Sequence, residues 1–472
     1  MKSPVSSADI TKAWVEFMLT DYESRKTPHT TVAVKTFTVR NATKPGESFN
    51  AELMLLDVTA ELSNGSSTDQ AVDATQDKEY HLVVKFLTKD PMTKEVIKRC
   101  GYHIKELKMY SEVVKELNDF QAEHANDKYR LFLPEFIYGK CTEKEYVLVM
   151  ENVKVLGYET NPKEEGLDFE HAMVAVDHVA RLHAVSYSYD KTHNFLEKFP
   201  CFQFSTAIST FFKPVVWASL ANLITFLKSK KTYEDMVHKL EAGRTTLPSK
   251  FAALWDDQSR HRFLSLTHGD FWNSNLMYHH NSSSSSGSND IESLKLIDWQ
   301  IAQWNNPVFD LHYLLNTSTS FAMRRDHAEE ILRHYHTIFT TATATMGTPV
   351  PNWNYEQFKA EFERTSLVGF LMGMCLIQGT LSKAGENINR GGSACCPSSC
   401  WLTDTVKTGF AKMVVSLAFK PSSSYIMRAS IGKVLSPIGR ELVEGSNEVL
   451  NSRLLDLLME ADEKGVLDVL SL

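Results

Sequence analysis

Apolar positions follow two different periods along this chain of 472 residues. Residues 8–24 carry apolar side chains at helical spacing, which predicts an opening amphipathic helix. After this helix the apolar runs are short and strand-like, and later in the chain most segments repeat with the period of a helix. The pattern therefore predicts an α+β protein with a small β-rich lobe, residues 1–153, and a larger, mainly helical lobe, residues 154–472.

A lysine stands inside one of the strand-like runs of the first lobe. Lys85 lies in the run 81–87 among apolar residues, and a buried ammonium group is costly unless an anion pairs with it. Lys85 therefore either reaches water from an edge strand or contacts an anionic ligand. Glu106 follows in a segment of helical pattern and is a candidate partner, although a glutamate alone is as readily a surface charge. Kinases hold nucleotide phosphates with such a strand lysine and helix glutamate.

Two strand-like runs in the second lobe each deliver an aspartate. Asp270, with Asn275 shortly after it, ends one run, and Asp298 ends the other. The stretch 264–298 is predicted to form a hairpin with a polar tip at 281–290. Phosphoryl transfer from Mg-ATP needs one carboxylate to receive the proton of the acceptor and oxygen ligands to hold magnesium. These side chains supply that set, and the alternative is a pair of ordinary strands with acidic turn residues.

The residues around both aspartates resemble a known group of enzymes. The sequences His-Gly-Asp at 268–270 and Ile-Asp-Trp-Gln at 297–300 are similar to those of the aminoglycoside phosphotransferase and choline kinase superfamily, and more closely to its ecdysteroid kinase-like branch. This resemblance implies a two-lobed, protein-kinase-like fold that binds ATP and Mg²⁺. It also implies catalysis by Asp270, magnesium binding by Asn275 and Asp298, and structural support from His268 and Asp310.

The same resemblance marks the remaining contacts to the nucleotide. A turn containing Gly46 and Ser48 would cover the phosphates, although a single glycine is equally typical of a plain hairpin. Lys85 and Glu106 would form the phosphate-binding ion pair. The hinge segment whose backbone would bind adenine contains Met150, Glu151 and Val153. Nucleotide contacts are therefore expected from separate segments of the first lobe.

Composition and charge exclude several other classes. A net charge of −8 and a pI near 6.1 argue against nucleic-acid binding, which needs clustered basic residues. The seven cysteines are scattered, so no disulfide framework is expected, and those at 395–400 are expected to be free thiols rather than zinc ligands. The longest apolar run, 367–377, is too short to span a membrane and predicts a buried helix. Residues 1–30 lack the apolar core of a signal peptide, so a cytoplasmic protein is expected.

These features together predict an ATP-dependent small-molecule kinase. The sequence lacks the His-Arg-Asp, Asp-Phe-Gly and Ala-Pro-Glu segments of protein kinases, so the expected substrate is a small molecule with a hydroxyl group. The family resemblance favours an ecdysteroid-like sterol. Two alternatives stay open, namely a choline- or ethanolamine-type kinase and a catalytically silent kinase-fold protein that binds a ligand. The sequence gives no oligomeric state. Trp272, Trp299 and Trp304 would either line the acceptor pocket or pack in the core, and His183 is expected in the core.

Overall fold

The computed structural model describes residues 2–42, 51–64, 75–143, 145–281, 291–384 and 424–468. Within these ranges the first lobe contains a five-stranded antiparallel sheet with the strand order β1-β2-β3-β5-β4. The strands are β1 (Thr30–Asn41), β2 (Ala51–Asn64), β3 (Thr75–Leu87), β4 (Phe136–Cys141) and β5 (Tyr146–Glu151). Helix α1 (Lys12–Lys26) is capped by Thr11 and buries Trp14 and Met18 against this sheet.

Three helices connect β3 to β4. They are α2 (Pro91–Cys100), α3 (Tyr102–Lys108) and α4 (Val114–Ala125), with a π-helical turn at Met109–Val113. Gly101 has a φ of 69°, a left-handed conformation that ends α2 and lets the chain start α3 in a new direction. As a result, α3 presents the buried Glu106 to Lys85 on β3.

The second lobe is mainly helical. Among its described residues the α-helices are α5 (Phe169–His193), α6 (Phe195–Lys198), α7 (Thr206–Lys228), α8 (Glu234–Gly243), α9 (Leu247–Asp256), α10 (Val308–Ser318), α11 (Phe321–Thr345), α12 (Tyr355–Arg364), α13 (Ser366–Leu381), α14 (Ser424–Glu444) and α15 (Glu448–Glu463). Its short strands are β6 (Tyr158–Glu159), β7 (Ser265–Thr267), β8 (Leu276–His280), β9 (Ile291–Leu296) and β10 (Gln303–Asn305). Strands β6, β8 and β9 form one sheet, and β7 pairs with β10. These strands carry the segments in which the sequence places its candidate chemistry.

The α+β fold class predicted from the sequence is confirmed, and two local predictions were wrong. The hairpin is confined to β8 and β9, because β7 pairs with β10 instead. The paired part of β2 and β3 extends to Ser63 and Thr75, so strand replaces part of the polar loop expected there. That extension is held by α1, where the Glu23 carboxylate accepts hydrogen bonds from Lys78 and Tyr80 of β3. The last strand of the first sheet ends at residue 151, and a lobe boundary at 153 stays a prediction.

Helix α13 holds the longest apolar run of the chain and lies inside the second lobe. Ten of its residues are buried, so the buried helix predicted for this run is confirmed. In the described ranges no single helix is long and apolar enough to cross a membrane. The consecutive helices α12 and α13 together are long and apolar enough, judged by length and composition only, but they are bent by 51° where they meet.

Gly369→Ala is expected to destabilise the second lobe. A Cβ atom at Gly369 of α13 would lie 2.5 Å from Asn316 Nδ2 and 2.9 Å from His312 Nδ1 on α10. The two helices would have to separate, and overpacking of this kind costs about 1–3 kcal/mol. Gly379→Ala on the same helix is the control, because nothing lies within 4 Å of its Cβ position. Thermal unfolding should show a lower midpoint for the first variant only, and equal midpoints would contradict this close packing.

Candidate active site

Lys85 of β3 lies between two carboxylates at the junction of the lobes. Its Nζ atom is 2.7 Å from Glu106 Oε1 and 3.2 Å from Asp298 Oδ1. The side chains of Lys85 and Glu106 are 8% and 2% exposed, whereas that of Asp298 is 38% exposed. Strand β3 has a neighbour on each side, so the alternative of an edge-strand lysine reaching water was wrong. The structure thus joins the two lobes through a buried lysine with two anionic partners.

The segments that carry Asp270 and Asp298 are tied together by the His268 ring. Its Nε2–H donates to the carbonyl of Ile297 at 3.0 Å, and its Nδ1 accepts from the N–H of Asp270 at 3.3 Å. Asp298 follows with a φ of 64°, a left-handed conformation that few non-glycine residues adopt. Trp299 is fully buried against the His268 ring, with ring centroids 4.3 Å apart. The buried histidine therefore helps to set the spacing of the two aspartate segments, together with the bond from the N–H of Ile297 to the Asn275 carbonyl at 3.1 Å.

The Asp270 carboxylate is held at both oxygens. Asn275 Nδ2 donates to Asp270 Oδ2 at 2.9 Å and to its backbone carbonyl at 2.8 Å. The Tyr313 hydroxyl donates to Asp270 Oδ1 at 2.6 Å. No described residue donates a hydrogen bond to the side-chain oxygen of Asn275, so this oxygen is available for a further contact.

Asp310 supports the backbone of the loop that carries Asp270. Its carboxylate accepts from the N–H groups of His268, at 2.7 Å, and Gly269, at 2.9 Å. Gly269 has a φ of 79°, and a Cβ atom there would lie 2.5 Å from the Ile301 carbonyl, so the loop requires glycine. The fully buried His183 bonds to Asp310 Oδ2 at 3.1 Å, which confirms its place in the core.

Negative charge exceeds positive charge in this cluster of Lys85, Glu106, Asp270 and Asp298. Burial and the Asp298 carboxylate raise the pKa of Asp270 to about 6, against the opposing hydrogen bonds from Tyr313 and Asn275. Burial alone would lower the pKa of Lys85, but the carboxylates of Asp298 and Glu106 raise it. A divalent cation near these residues would offset the excess of negative charge, and Asn275 and Asp298 offer the oxygen atoms that Mg²⁺ prefers.

The described ranges contain no group of three or more His, Cys, Asp and Glu side chains placed to hold a metal ion. Mg²⁺ in nucleotide sites usually binds only one or two protein carboxylates and takes its other ligands from phosphates and water. A Mg²⁺ site formed by Asn275 and Asp298 would contain one carboxylate, as is usual in nucleotide sites. The excess of negative charge beside these two residues also favours a bound cation.

The hinge predicted to bind adenine is partly engaged within the protein. The N–H of Glu151 donates to the Glu135 carbonyl at 2.9 Å, and its carboxylate pairs with Lys295 at 2.6 Å. Met150 and Val153 are buried at the end of β5 and just after it. Adenine binding by this backbone stays a prediction. The N–H of Glu151 already donates to another residue of the protein. The predicted phosphate turn with Gly46 and Ser48 and the cysteines at 395–400 lie outside the described residues.

A narrow apolar cleft lies beside the loop of Asp270. Its lining residues come from distant parts of the sequence, and they are Phe212, Phe251, Trp255, Gly269, Ile301, Gln303 and Met372. Trp255 stacks on Phe309 with ring centroids 4.9 Å apart. Phe212 and Ile301 also pack against a small cluster of first-lobe residues that includes Ile97 and Tyr102. The cleft therefore lies at the lobe junction, and no carboxylate is among the described residues that line it.

Sequence reasoning missed Tyr313 and the aromatic residues of the cleft. Tyr313 lies among leucines on α10, and Phe251 and Trp255 lie on a helix with ordinary core spacing, so the pattern offered no signal beyond burial. Of the three tryptophans predicted to line a pocket or pack in the core, Trp299 and Trp304 are buried, and Trp304 stacks on Phe195 at 4.9 Å. Trp272 is partly buried and packs against a hydrophobic cluster of the second lobe.

The small antiparallel sheet, the helical second lobe and the buried Lys85–Glu106 pair at their junction define a kinase-like protein. The model of the ecdysteroid kinase-like family matches residues 46–348, well over half of the chain. The chain therefore belongs to the ecdysteroid kinase-like family. A search of curated proteins finds no match.

Several solved kinase structures also match the chain. They include a choline/ethanolamine kinase family protein from Mesorhizobium loti, with a TM-score of 0.31 and 13% identity, covering 84% of this chain and 92% of that one. A choline kinase from Cryptosporidium parvum matches with a TM-score of 0.35 and 11% identity, covering 89% and 93%. Wild-type aminoglycoside 2′-phosphotransferase-IIIa, solved with GDP, has a TM-score of 0.35 and 12% identity, covering 86% and 98%. Because these scores and identities are low, the assignment rests on the family match.

Proposed function

We propose that this protein transfers the γ-phosphate of ATP to a hydroxyl group of a small lipophilic molecule. The observation that carries the proposal is the placement of Lys85, paired with Glu106 and Asp298, at the same lobe junction as Asp270 and Asn275. This set matches the needs of phosphoryl transfer, which depends on positioning and charge neutralisation rather than on covalent chemistry by the protein.

Each residue has a distinct role in the proposed reaction. Lys85 neutralises phosphate charge, and Glu106 keeps its ammonium group in place. Asn275 and Asp298 hold Mg²⁺, which supplies further neutralisation of the phosphates when it is bound. Asp270 orients the acceptor hydroxyl and takes its proton as the oxygen bonds to the γ-phosphorus and ADP leaves.

The apolar cleft supports a lipophilic acceptor. It opens beside Gly269, next to Asp270, and aromatic and aliphatic side chains line most of it. The apolar character of this lining, and not its size, is what favours the ring system of an ecdysteroid-like sterol. The cleft has a volume of only about 10 Å³, so its walls have to move apart before a molecule of that size can enter.

The aromatic lining also favours a second candidate, a choline-type kinase. The rings of Phe251 and Trp255 lie 5.7 Å apart at an angle of 27°, and aromatic faces attract quaternary ammonium groups. This cleft lacks a lining carboxylate among its described residues, which makes a cationic acceptor the weaker of the two candidates.

The test is phosphate transfer from Mg-ATP to a panel containing an ecdysteroid, choline, ethanolamine and an aminoglycoside. We expect the ecdysteroid to be phosphorylated. Phe212→Ala, which alters the cleft, should raise KM for that acceptor by roughly tenfold and leave KM for ATP unchanged. Phe17→Ala, an exposed phenylalanine on α1, is the control and should change neither constant. Phosphorylation of choline instead of the ecdysteroid would establish the second candidate.

A further inference from the structure

We propose that Tyr313 is a positioning residue for phosphotransfer, which fixes the orientation of the Asp270 carboxylate. This inference rests on the proposed function, in which Asp270 takes the proton of the acceptor hydroxyl. Tyr313 belongs to none of the segments whose sequence indicates nucleotide or metal binding. Its role is inferred from its hydrogen bond to Asp270 and from its position on helix α10.

The contact between the two side chains is short and sheltered. The Tyr313 hydroxyl donates to Asp270 Oδ1 at 2.6 Å, and Tyr313 is 5% exposed. A hydrogen bond to a charged acceptor is stronger than one between neutral groups, and it is stronger again away from water. Asn275 holds the other carboxylate oxygen at 2.9 Å. The carboxylate plane therefore cannot rotate without breaking one of two sheltered hydrogen bonds.

Helix α10 supports the loop at its backbone as well as at this side chain. Asp310, one turn before Tyr313, accepts the N–H groups of His268 and Gly269. Ser318 Oγ, near the end of the same helix, accepts the N–H of Asn273 at 2.9 Å. Because the backbone and the carboxylate are both bonded to one helix, the orientation of Asp270 is set before an acceptor arrives.

Preorganisation of this kind affects the chemical step rather than nucleotide binding. A misdirected carboxylate receives the acceptor proton less often, and even small displacements from the reactive geometry slow a reaction strongly. Tyr313→Phe removes only the hydroxyl and keeps the ring in the core. We expect it to lower kcat by roughly 10- to 100-fold and to leave KM for ATP unchanged.

Tyr278→Phe is the matched control. Tyr278 is fully buried and its hydroxyl also donates a hydrogen bond, at 3.1 Å to the His171 carbonyl, away from Asp270. It should keep the wild-type kcat. Both variants should unfold at nearly the wild-type temperature, so a loss of fold would be seen directly.

The experiment measures transfer of the γ-phosphate from Mg-ATP to water and to each member of the acceptor panel for the wild type, Tyr313→Phe, Tyr278→Phe, Asp270→Asn and the double variant Asp270→Asn/Tyr313→Phe. The proposal expects Tyr313→Phe to be slow and the double variant to be no slower than Asp270→Asn alone, since Tyr313 acts through Asp270. A Tyr313→Phe variant as fast as Tyr278→Phe would overturn it. A further loss in the double variant would also overturn it, because the effect would not pass through Asp270. Failure of the wild type itself, with ATP or with any acceptor, would instead overturn the proposed function and this inference with it.

Discussion

Asp270→Asn is expected to slow phosphotransfer by orders of magnitude while leaving ATP affinity close to that of the wild type. The substitution keeps the shape of the side chain at the base of the cleft but removes the carboxylate that takes the acceptor proton. A positioned general base contributes roughly 10²- to 10⁴-fold to a rate, so kcat should fall within that range. Calorimetric titration with ATP and the initial rate of phosphate transfer measure the two quantities separately.

A second aspartate variant checks that this effect is local. The control is Asp177→Asn. Asp177 lies on α5, and its carboxylate pairs with Arg181 at 2.6 Å and not with any residue of the cleft. This variant should keep the turnover of the wild type. Equal losses of turnover and ATP affinity in Asp270→Asn would show that Asp270 binds the nucleotide instead of orienting the acceptor.

Lys85→Met is expected to remove activity and to lower the free energy of unfolding substantially. Glu106 would stay buried without its cation, and breaking a buried ion pair at one partner costs about 3–5 kcal/mol. The phosphates would also lose their positive partner, so kcat/KM for ATP should fall by roughly 10²- to 10³-fold. Urea unfolding measures the first effect, and steady-state kinetics measure the second.

The double variant Lys85→Met/Glu106→Gln separates stability from activity. Removing the unpaired charge should restore most of the lost stability, because a neutral amide is easier to bury than a carboxylate, but it should not restore activity. Lys239→Met is a control, since Lys239 pairs with Asp462 and Asp468 at the surface, where such pairs contribute little. If the double variant is no more stable than Lys85→Met, the ion pair does not have the role given to it here.

Much of the fold and the main charged residues could be predicted from the sequence because their chemistry is unusual in its setting. A lysine inside an apolar strand is costly unless it has an anionic partner, so the pattern itself points to Lys85. The aspartates at strand ends were candidates by their spacing, and the family resemblance of their segments singled out Asp270 and Asp298. The structure brings these three to one cleft. Their roles in binding and catalysis stay predictions until activity is measured.

The remaining parts could not be predicted because they depend on contacts between distant segments. Strand β7 has three residues, too few for its pattern to select β10 over the neighbouring β8 as its partner. Tyr313 lies at one of the apolar positions of α10, so its sequence position is the same whether it contacts Asp270 or is simply buried. The cleft aromatics Phe251 and Trp255 lie on α9, and their periodicity also matches that of a core helix.

The most direct test of the central claim is ³¹P NMR of the wild-type protein with Mg-ATP and the acceptor panel, with Asp270→Asn as the blank. NMR distinguishes a new phosphate monoester from free phosphate, so it separates transfer from hydrolysis. The account predicts a phosphate monoester of one acceptor, formed by the wild type and absent in the variant. ATP binding with no phosphate monoester of any acceptor and no hydrolysis would contradict it and would identify a kinase-fold protein that binds ligand without catalysis.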